Sequence, residues 1–188
     1  MHAINFINNY FSKERKDIFV YVFFTYLLGL ILYLYTLMPQ IQKLTIEKMP
    51  KSLVERFEHL DYIVVIASFI LIILGFFFES FILFFTVNLL GVNILNENLK
   101  YSSFLRLFIF ANFPIAVKFI CIAIKNILFE PNMYLFFAED SFLLSVFDLF
   151  NLSYMFLMFL LLKCHTDFNN NIKLGIFILI SCLYRVFF

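Results

Sequence analysis

Charged residues are scarce in this sequence of 188 residues: only 14% are Asp, Glu, Lys or Arg, and the formal net charge is +1. About a quarter of the residues in a soluble domain are charged, and a disordered chain combines high charge with low hydrophobicity. The scarcity therefore excludes both classes of protein. Because the charges nearly cancel, the chain has no overall field that would attract nucleic acid, and we expect no nucleic-acid partner.

Residue types that build catalytic and metal sites are also few, with 3 Cys and 3 His in the whole chain. The Cys residues lie too far apart for a CxxC motif, and each His falls in a polar segment away from other metal ligands. The HExxH and GxSxG motifs and the glycine-rich phosphate loop are missing from the sequence. We therefore expect no catalytic residue, no metal and no cofactor, and we interpret the protein as non-enzymatic.

Hydrophobic residues, in contrast, make up 63% of the chain, and 30 of them are Phe. A bilayer core about 30 Å thick is spanned by about 20 residues of helix. Five apolar stretches approach or exceed that length, at about 18–38, 62–95, 104–128, 142–162 and 172–188. The sequence therefore predicts an all-α integral membrane bundle of five transmembrane helices over 18–188, in contact with membrane lipid.

The second stretch is longer than one crossing needs, because about 34 residues at 1.5 Å each extend to ~51 Å. One interpretation is a single long helix, tilted in the membrane and bent near Gly75. The alternative is two short spans that turn at Glu79 and Ser80. That turn would lack Gly and Pro and would expose unsatisfied backbone groups to lipid, which is costly. We favour the single helix, and we predict that Pro39 ends the first span.

Basic residues indicate the orientation, since cytoplasmic loops carry the excess of Lys and Arg. Five spans place the N-terminus on the same side as the loops at 96–103 and 163–171. The basic residues on or beside that side are Lys13, Arg15, Lys16, Lys100, Arg106, Lys163 and Lys173. On the opposite side, the connection at 39–60 balances its basic residues with acids. We predict a cytoplasmic N-terminus, with residues 1–17 as an amphipathic segment on the inner leaflet, and an external C-terminus.

Glu79, Lys118 and Asp148 are charged residues that lie inside the predicted spans, away from the span ends. Charges in a membrane span are costly, and they usually pair or line a cavity. Counted from the outer ends of their spans, Lys118 and Asp148 differ in depth by about 6 Å, which a Lys side chain can bridge. We predict that they pair. The pair would either fix the register of two helices or join Glu79 in an ion or proton relay.

Two intramembrane amides and a proline are the other polar or helix-bending candidates. Asn88 and Asn112 lie at similar depths from the cytoplasmic side, so we predict a hydrogen bond between them. Pro114 lies inside the third span, where it is expected to kink the helix and free a carbonyl group.

Two runs of Phe mark the second span, at Phe76 to Phe78 and at Phe84 and Phe85. Consecutive residues point to different sides of a helix, so these runs cover more than one face. They are interpreted as lipid-facing side chains, with a docking surface for another membrane protein as the alternative.

The later part of the sequence resembles the Yip family, the Ypt/Rab-interacting membrane proteins and their bacterial relatives. The resemblance covers roughly residues 13–188 and is carried by three features. Tyr-Ser-Ser-Phe-Leu-Arg at 101–106 leads into a span with Asn-Phe-Pro at 112–114. Ser-Val-Phe-Asp-Leu-Phe-Asn-Leu at 145–152 matches the family's Asp-x-Phe motif at the outer end of the fourth span. Lys173 then opens the fifth span.

The resemblance implies a non-catalytic protein with five spans and a cytoplasmic N-terminus. The short polar segment before the first span favours a bacterial member in the plasma (inner) membrane; a eukaryotic member would lie in endoplasmic reticulum or Golgi membrane. Bacterial relatives suggest an accessory or assembly subunit of an ABC-type export or peptide-resistance system. The alternatives are a small transporter or ion conduit that uses Glu79, Lys118 and Asp148, and an immunity protein against a membrane-active peptide. Other membrane subunits are the expected partners, and an oligomer is compatible with each alternative.

Overall fold

The structure is a computed structural model, and it describes residues 16–48, 60–91, 100–133, 148–166 and 171–187. Every regular element in these ranges is an α-helix, as the all-α prediction requires. The helices are α1 (Lys16–Thr36), α2 (Met38–Lys48), α3 (Leu60–Leu89), α4 (Tyr101–Ala111), α5 (Phe113–Leu128), α6 (Leu149–His165) and α7 (Asn171–Phe187). Most of the predicted N-terminal amphipathic segment lies outside the described residues.

The first span ends slightly earlier than predicted, at Thr36, and a second helix follows almost at once. The backbone N–H of Leu37 donates to Tyr33 O at 3.2 Å, and α2 begins at the next residue. Pro39 therefore does not end a helix, and that prediction is wrong. It lies in the first turn of α2, where proline is tolerated because no N–H of that turn has a partner within the helix.

The second span is one uninterrupted helix, α3, which runs through Glu79 and Ser80 without a turn. This confirms the single-helix prediction and excludes the two short spans. The helix ends at Leu89, and the turn that follows it contains Gly91. The φ of Gly91 is 69°, in the left-handed region that glycine tolerates, and its N–H donates to Asn88 O at 2.9 Å. From α7, Lys173 Nζ donates to Leu90 O at 2.7 Å and satisfies a carbonyl at this helix end.

The third span is divided into α4 and α5 at Asn112, two residues before the Pro114 at which we predicted a kink. Asn112 has φ −80° and ψ 1°, outside helical geometry. Its carbonyl oxygen accepts from Ile115 N at 3.0 Å and Ala116 N at 3.1 Å, so the backbone of α5 starts there. Pro114 occupies the first turn of α5.

The fourth helix begins later than predicted. Asp148 has φ −69° and ψ 160° and is the N-cap of α6, so the prediction of a continuous helix over 142–162 is wrong at that residue. An apolar run does not mark where a helix starts, whereas an N-cap side chain does. Both α6 and α7 have 17 residues, or about 26 Å of helix.

Three helical segments of the described chain are long and apolar enough to cross a membrane, namely Ile18–Thr36, Tyr62–Leu89 and Tyr101–Leu128. Shorter apolar helices cover Leu149–Cys164 and Ile172–Ser181. These lengths and compositions are those of a membrane protein.

The closest helix contact joins α1 and α5, which run in the same direction. A Cβ added to Gly29 would lie 2.9 Å from Ala116 O and 3.2 Å from Ile120 Cγ1, so only glycine permits this approach. Further along both helices, Asn126 Nδ2 lies 3.4 Å from Thr36 Oγ1.

The remaining helices alternate in direction around this pair. The ring of Phe76 on α3 packs 4.9 Å from that of Phe108, and Phe84 packs 5.8 Å from Phe104, so α3 is antiparallel to α4. The α6 helix contacts α5 through Asp148 and Lys118 and α4 through Tyr154 and Phe108, so it is antiparallel to both. The α7 helix packs against α3 and α6. The core between them is apolar and includes Tyr26, Leu30, Leu83, Phe104, Phe108, Tyr154, Met158, Leu161, Leu174 and Phe177.

Candidate functional site

A charged pair joins α5 to the start of α6. Lys118 Nζ donates to Asp148 Oδ2, and the side chains are 24% and 23% exposed. The other carboxylate oxygen, Oδ1, accepts from Asn151 N at 2.7 Å and caps α6. A carboxylate is favoured at this position because it meets unpaired N–H groups and the positive end of the helix dipole. The predicted Lys118–Asp148 pair is confirmed, and the capping bond is an additional role for Asp148.

Glu79, the second charged candidate, lies buried between α3 and α6. Only 8% of it is exposed, and its Oε1 accepts from Tyr154 Oη at 3.3 Å. The adjacent Ser80 is fully buried, and its hydroxyl lies 2.7 Å from Tyr101 Oη at the start of α4. Two consecutive polar residues therefore connect α3 to two neighbouring helices. The hydrogen-bonding roles of Tyr101 and Tyr154 were not predicted from the sequence, although a buried Tyr usually finds a partner for its hydroxyl.

A third polar cluster, also missed from the sequence, lies where α1 and α5 end. Asn126 is buried, with Nδ2 near Thr36 Oγ1 and Oδ1 accepting from Asn132 N at 3.1 Å. Lys125 Nζ donates to Asn132 Oδ1. These bonds tie the end of α1 and the residues that follow α5 to the last turns of α5.

The predicted hydrogen bond between Asn88 and Asn112 is wrong. Asn88 is exposed near the end of α3, whereas Asn112 is buried at the α4–α5 junction. Asn112 Nδ2 donates to Phe108 O at 2.9 Å within its own segment. Similar depth did not bring the two amides together, because they lie on different sides of their helices.

The chemistry of these clusters is that of ion pairing and hydrogen bonding. Within the residues that the structure describes, no group of three His, Cys, Asp or Glu side chains could hold a metal ion. Cys121 and Cys164 are free thiols. The three clusters can fix the positions of helices.

Comparison of the chain with protein-family models, with curated proteins and with solved structures finds no match. The described residues that carry the Yip-family resemblance lie at helix boundaries. Residues 101–106 open α4, Asn112 and Pro114 form the α4–α5 junction, and Asp148 caps α6.

Proposed function

We propose that this chain is a five-crossing protein of the plasma membrane, with its N-terminus in the cytoplasm, that acts without catalysis as a subunit of a larger membrane complex. The proposal rests on the separation of polar side chains, which bond to one another within the bundle, from apolar side chains, which cover its outer faces. Lys118 and Asp148 bond to each other, as do Glu79 and Tyr154, whereas the outer faces of α1 and α3 are apolar. The charged side chains hold the helices of the bundle together, and the apolar outer faces are available for contact with another subunit.

The alternating helix directions support five crossings. The α1 helix, the α3 helix and the α4–α5 segment have the length of a crossing, and α3 runs opposite to α4. Lys173, near the start of α7, contacts the end of α3, so α7 begins at the end of the bundle where α3 finishes. The α7 helix, at about 26 Å, approaches the ~30 Å of a bilayer core, and α6 runs from the Lys118–Asp148 pair alongside α4.

The outer face of α3 is the surface that we assign to a partner subunit. Its exposed apolar side chains recur at alternating intervals of three and four residues, at Leu71, Leu74, Phe78, Phe81 and Phe85. This row, the α3 seam, is between 56% and 67% exposed. The spacing is that of helices which pack along one another with left-handed crossing. Resemblance to bacterial Yip relatives suggests that the partner belongs to an ABC-type exporter.

Co-purification from native membranes in mild detergent tests this proposal. A variant with Phe78→Ala and Phe81→Ala removes large contact groups from the α3 seam. The matched control is Phe24→Ala with Leu28→Ala, which removes exposed groups from the outer face of α1. We expect the control to retain a reproducible membrane partner and the seam variant to lose it while remaining folded. Recovery of the wild-type protein as a lone chain would contradict the subunit proposal.

The burial of Glu79 favours a second candidate function, a small transporter or ion conduit. An acidic side chain inside a membrane bundle frequently marks an ion or proton pathway, and Glu79 is 8% exposed. Proton or cation flux into proteoliposomes tests the conduit. Glu79→Gln should abolish the flux while Lys118 and Asp148 stay paired; unchanged flux in this variant would reject it.

A further inference from the structure

Exposed cations gather at one end of the bundle, which we call the basic end. It is the end at which α3 and α6 finish and at which α1, α4 and α7 begin. Each of these cations lies within about 8 Å of the terminus of its helix, counted at 1.5 Å per residue. In the proposed crossing that is the depth of the lipid headgroups. The cations are Lys100, Arg106, Lys163 and Lys173.

Acidic residues do not neutralise the basic end. Within the described part of the chain, none of its four exposed cations forms an ion pair with a carboxylate. By sequence, the other charged residues of this end are four acids and three bases, so the end keeps an excess of three positive charges. They are Glu14, Asp17, Glu97, Asp167, Lys13, Arg15 and Lys16. At the opposite end, the charged side chains that the structure describes balance, with Lys43 and Lys125 against Glu47 and Glu130.

Arg106 is the cation whose surroundings best fit a phosphate group. Its Cζ atom lies over the ring of Phe19 on α1, 6.0 Å from the ring centroid. The ring covers one face of the guanidinium, whereas the N–H groups lie in the guanidinium plane and can pair with phosphate oxygens. One turn nearer the start of α4, Ser102 is exposed on the same side as Arg106, and its hydroxyl can donate a further hydrogen bond.

An apolar surface follows Arg106 toward the interior of the membrane. Phe113 lies seven residues further along the chain, about two turns on the same side, and it is 43% exposed. Because Arg106 is five residues inside α4, this strip runs along the flank of the bundle and not across its tip. A cation at headgroup depth followed by an exposed ring matches the order of phosphate and acyl chain in a phospholipid.

We propose that an anionic phospholipid binds this flank, with its phosphate at Arg106 and Ser102 and an acyl chain over Phe113. The excess of positive charge at the basic end favours a lipid with net negative charge over a zwitterionic one, since each basic residue near the surface is attracted to an anionic leaflet. The lipid site rests on the proposed membrane crossing and not on the partner subunit.

Native mass spectrometry of the purified full-length protein in neutral detergent tests the site, because it counts the lipid molecules that stay bound. The probes are phosphatidylglycerol, which is anionic, and phosphatidylcholine, which is zwitterionic, with the same acyl chains. Arg106→Gln removes the guanidinium. Lys43→Gln is the matched control, since Lys43 is an exposed cation on α2 at the opposite end. We expect Arg106→Gln to weaken phosphatidylglycerol binding about five-fold, the factor expected for one basic residue at an anionic surface.

Binding of phosphatidylcholine should stay unchanged in Arg106→Gln, and Lys43→Gln should alter the binding of neither lipid. The site is wrong if Arg106→Gln keeps the full affinity for phosphatidylglycerol, if Lys43→Gln loses as much, or if the unmodified protein binds both lipids equally. Displacement of the lipid by an equal concentration of inorganic phosphate would also overturn it, because that result indicates a site for a free ion.

Alkaline carbonate extraction of native membranes separates a failure of the lipid site from a failure of the crossing. Release of the protein into the supernatant would reject the membrane crossing. A protein that stays in the membrane and shows no preference for phosphatidylglycerol would reject the lipid site alone.

Discussion

Two substitutions at Asp148 separate the interactions that its two carboxylate oxygens make. Asp148→Asn keeps an oxygen for the N–H of Asn151, since Asn caps helices about as well as Asp, but it leaves Lys118 without an opposite charge. Breaking a fully buried pair costs about 3–5 kcal/mol. Because nearly a quarter of each side chain is exposed and the pair is only partly buried, we expect a loss of about 1–3 kcal/mol here. Asp148→Ala also removes the cap and should cost about 1 kcal/mol more.

The free energy of unfolding of each variant is measured by titrating SDS into the protein in mild detergent micelles. The double variant Lys118→Met with Asp148→Asn is the control, because it removes both charges and should lie within about 1 kcal/mol of the unmodified protein. A double variant as unstable as Asp148→Asn alone would refute the ion pair. Equal losses for Asp148→Asn and Asp148→Ala would refute the capping role.

Two further predictions use the same titration. Gly29→Ala should destabilise the protein by about 1–3 kcal/mol because its methyl group meets the backbone of α5. Gly75→Ala has open space around the new methyl group and should stabilise the protein by up to about 1 kcal/mol, because Ala has a higher helix propensity than Gly. Equal effects of the two substitutions would contradict the close α1–α5 contact. Tyr154→Phe should cost about 1 kcal/mol by removing a donor to Glu79. Its cost should fall in a Glu79→Gln background, and strict additivity would show that the two side chains do not interact.

Depth along the membrane could be predicted from the sequence, because a helix rises by a fixed distance per residue. That reasoning found the Lys118–Asp148 pair, and it also placed Asn88 near Asn112, which is wrong. The rotation of each helix decides which side chains meet. On α3, Val87 is buried, whereas Asn88 is rotated by about 100° around the helix axis and lies on the exposed face.

Counting residues along the spans did not predict two other features. These are the helix start at Asp148 and the polar contacts of Glu79 and Ser80. Apolar residues lie on both sides of Asp148, so hydropathy alone does not distinguish a charge inside a helix from one that caps it. Tyr154 and Glu79 are 75 positions apart. Their contact arises because α3 and α6 both pack against α4 and α7, and the sequence around either residue does not indicate it.

The side of the membrane that holds each terminus tests the five crossings most directly. Green fluorescent protein and alkaline phosphatase, each fused separately behind Phe188, report opposite sides of the membrane. The first fluoresces in the cytoplasm, and the second is active only after export. With green fluorescent protein at the N-terminus as the reference, five crossings predict an active phosphatase and a dark fluorescent protein behind Phe188. Fluorescence at both ends would mean an even number of crossings and would contradict the proposed topology.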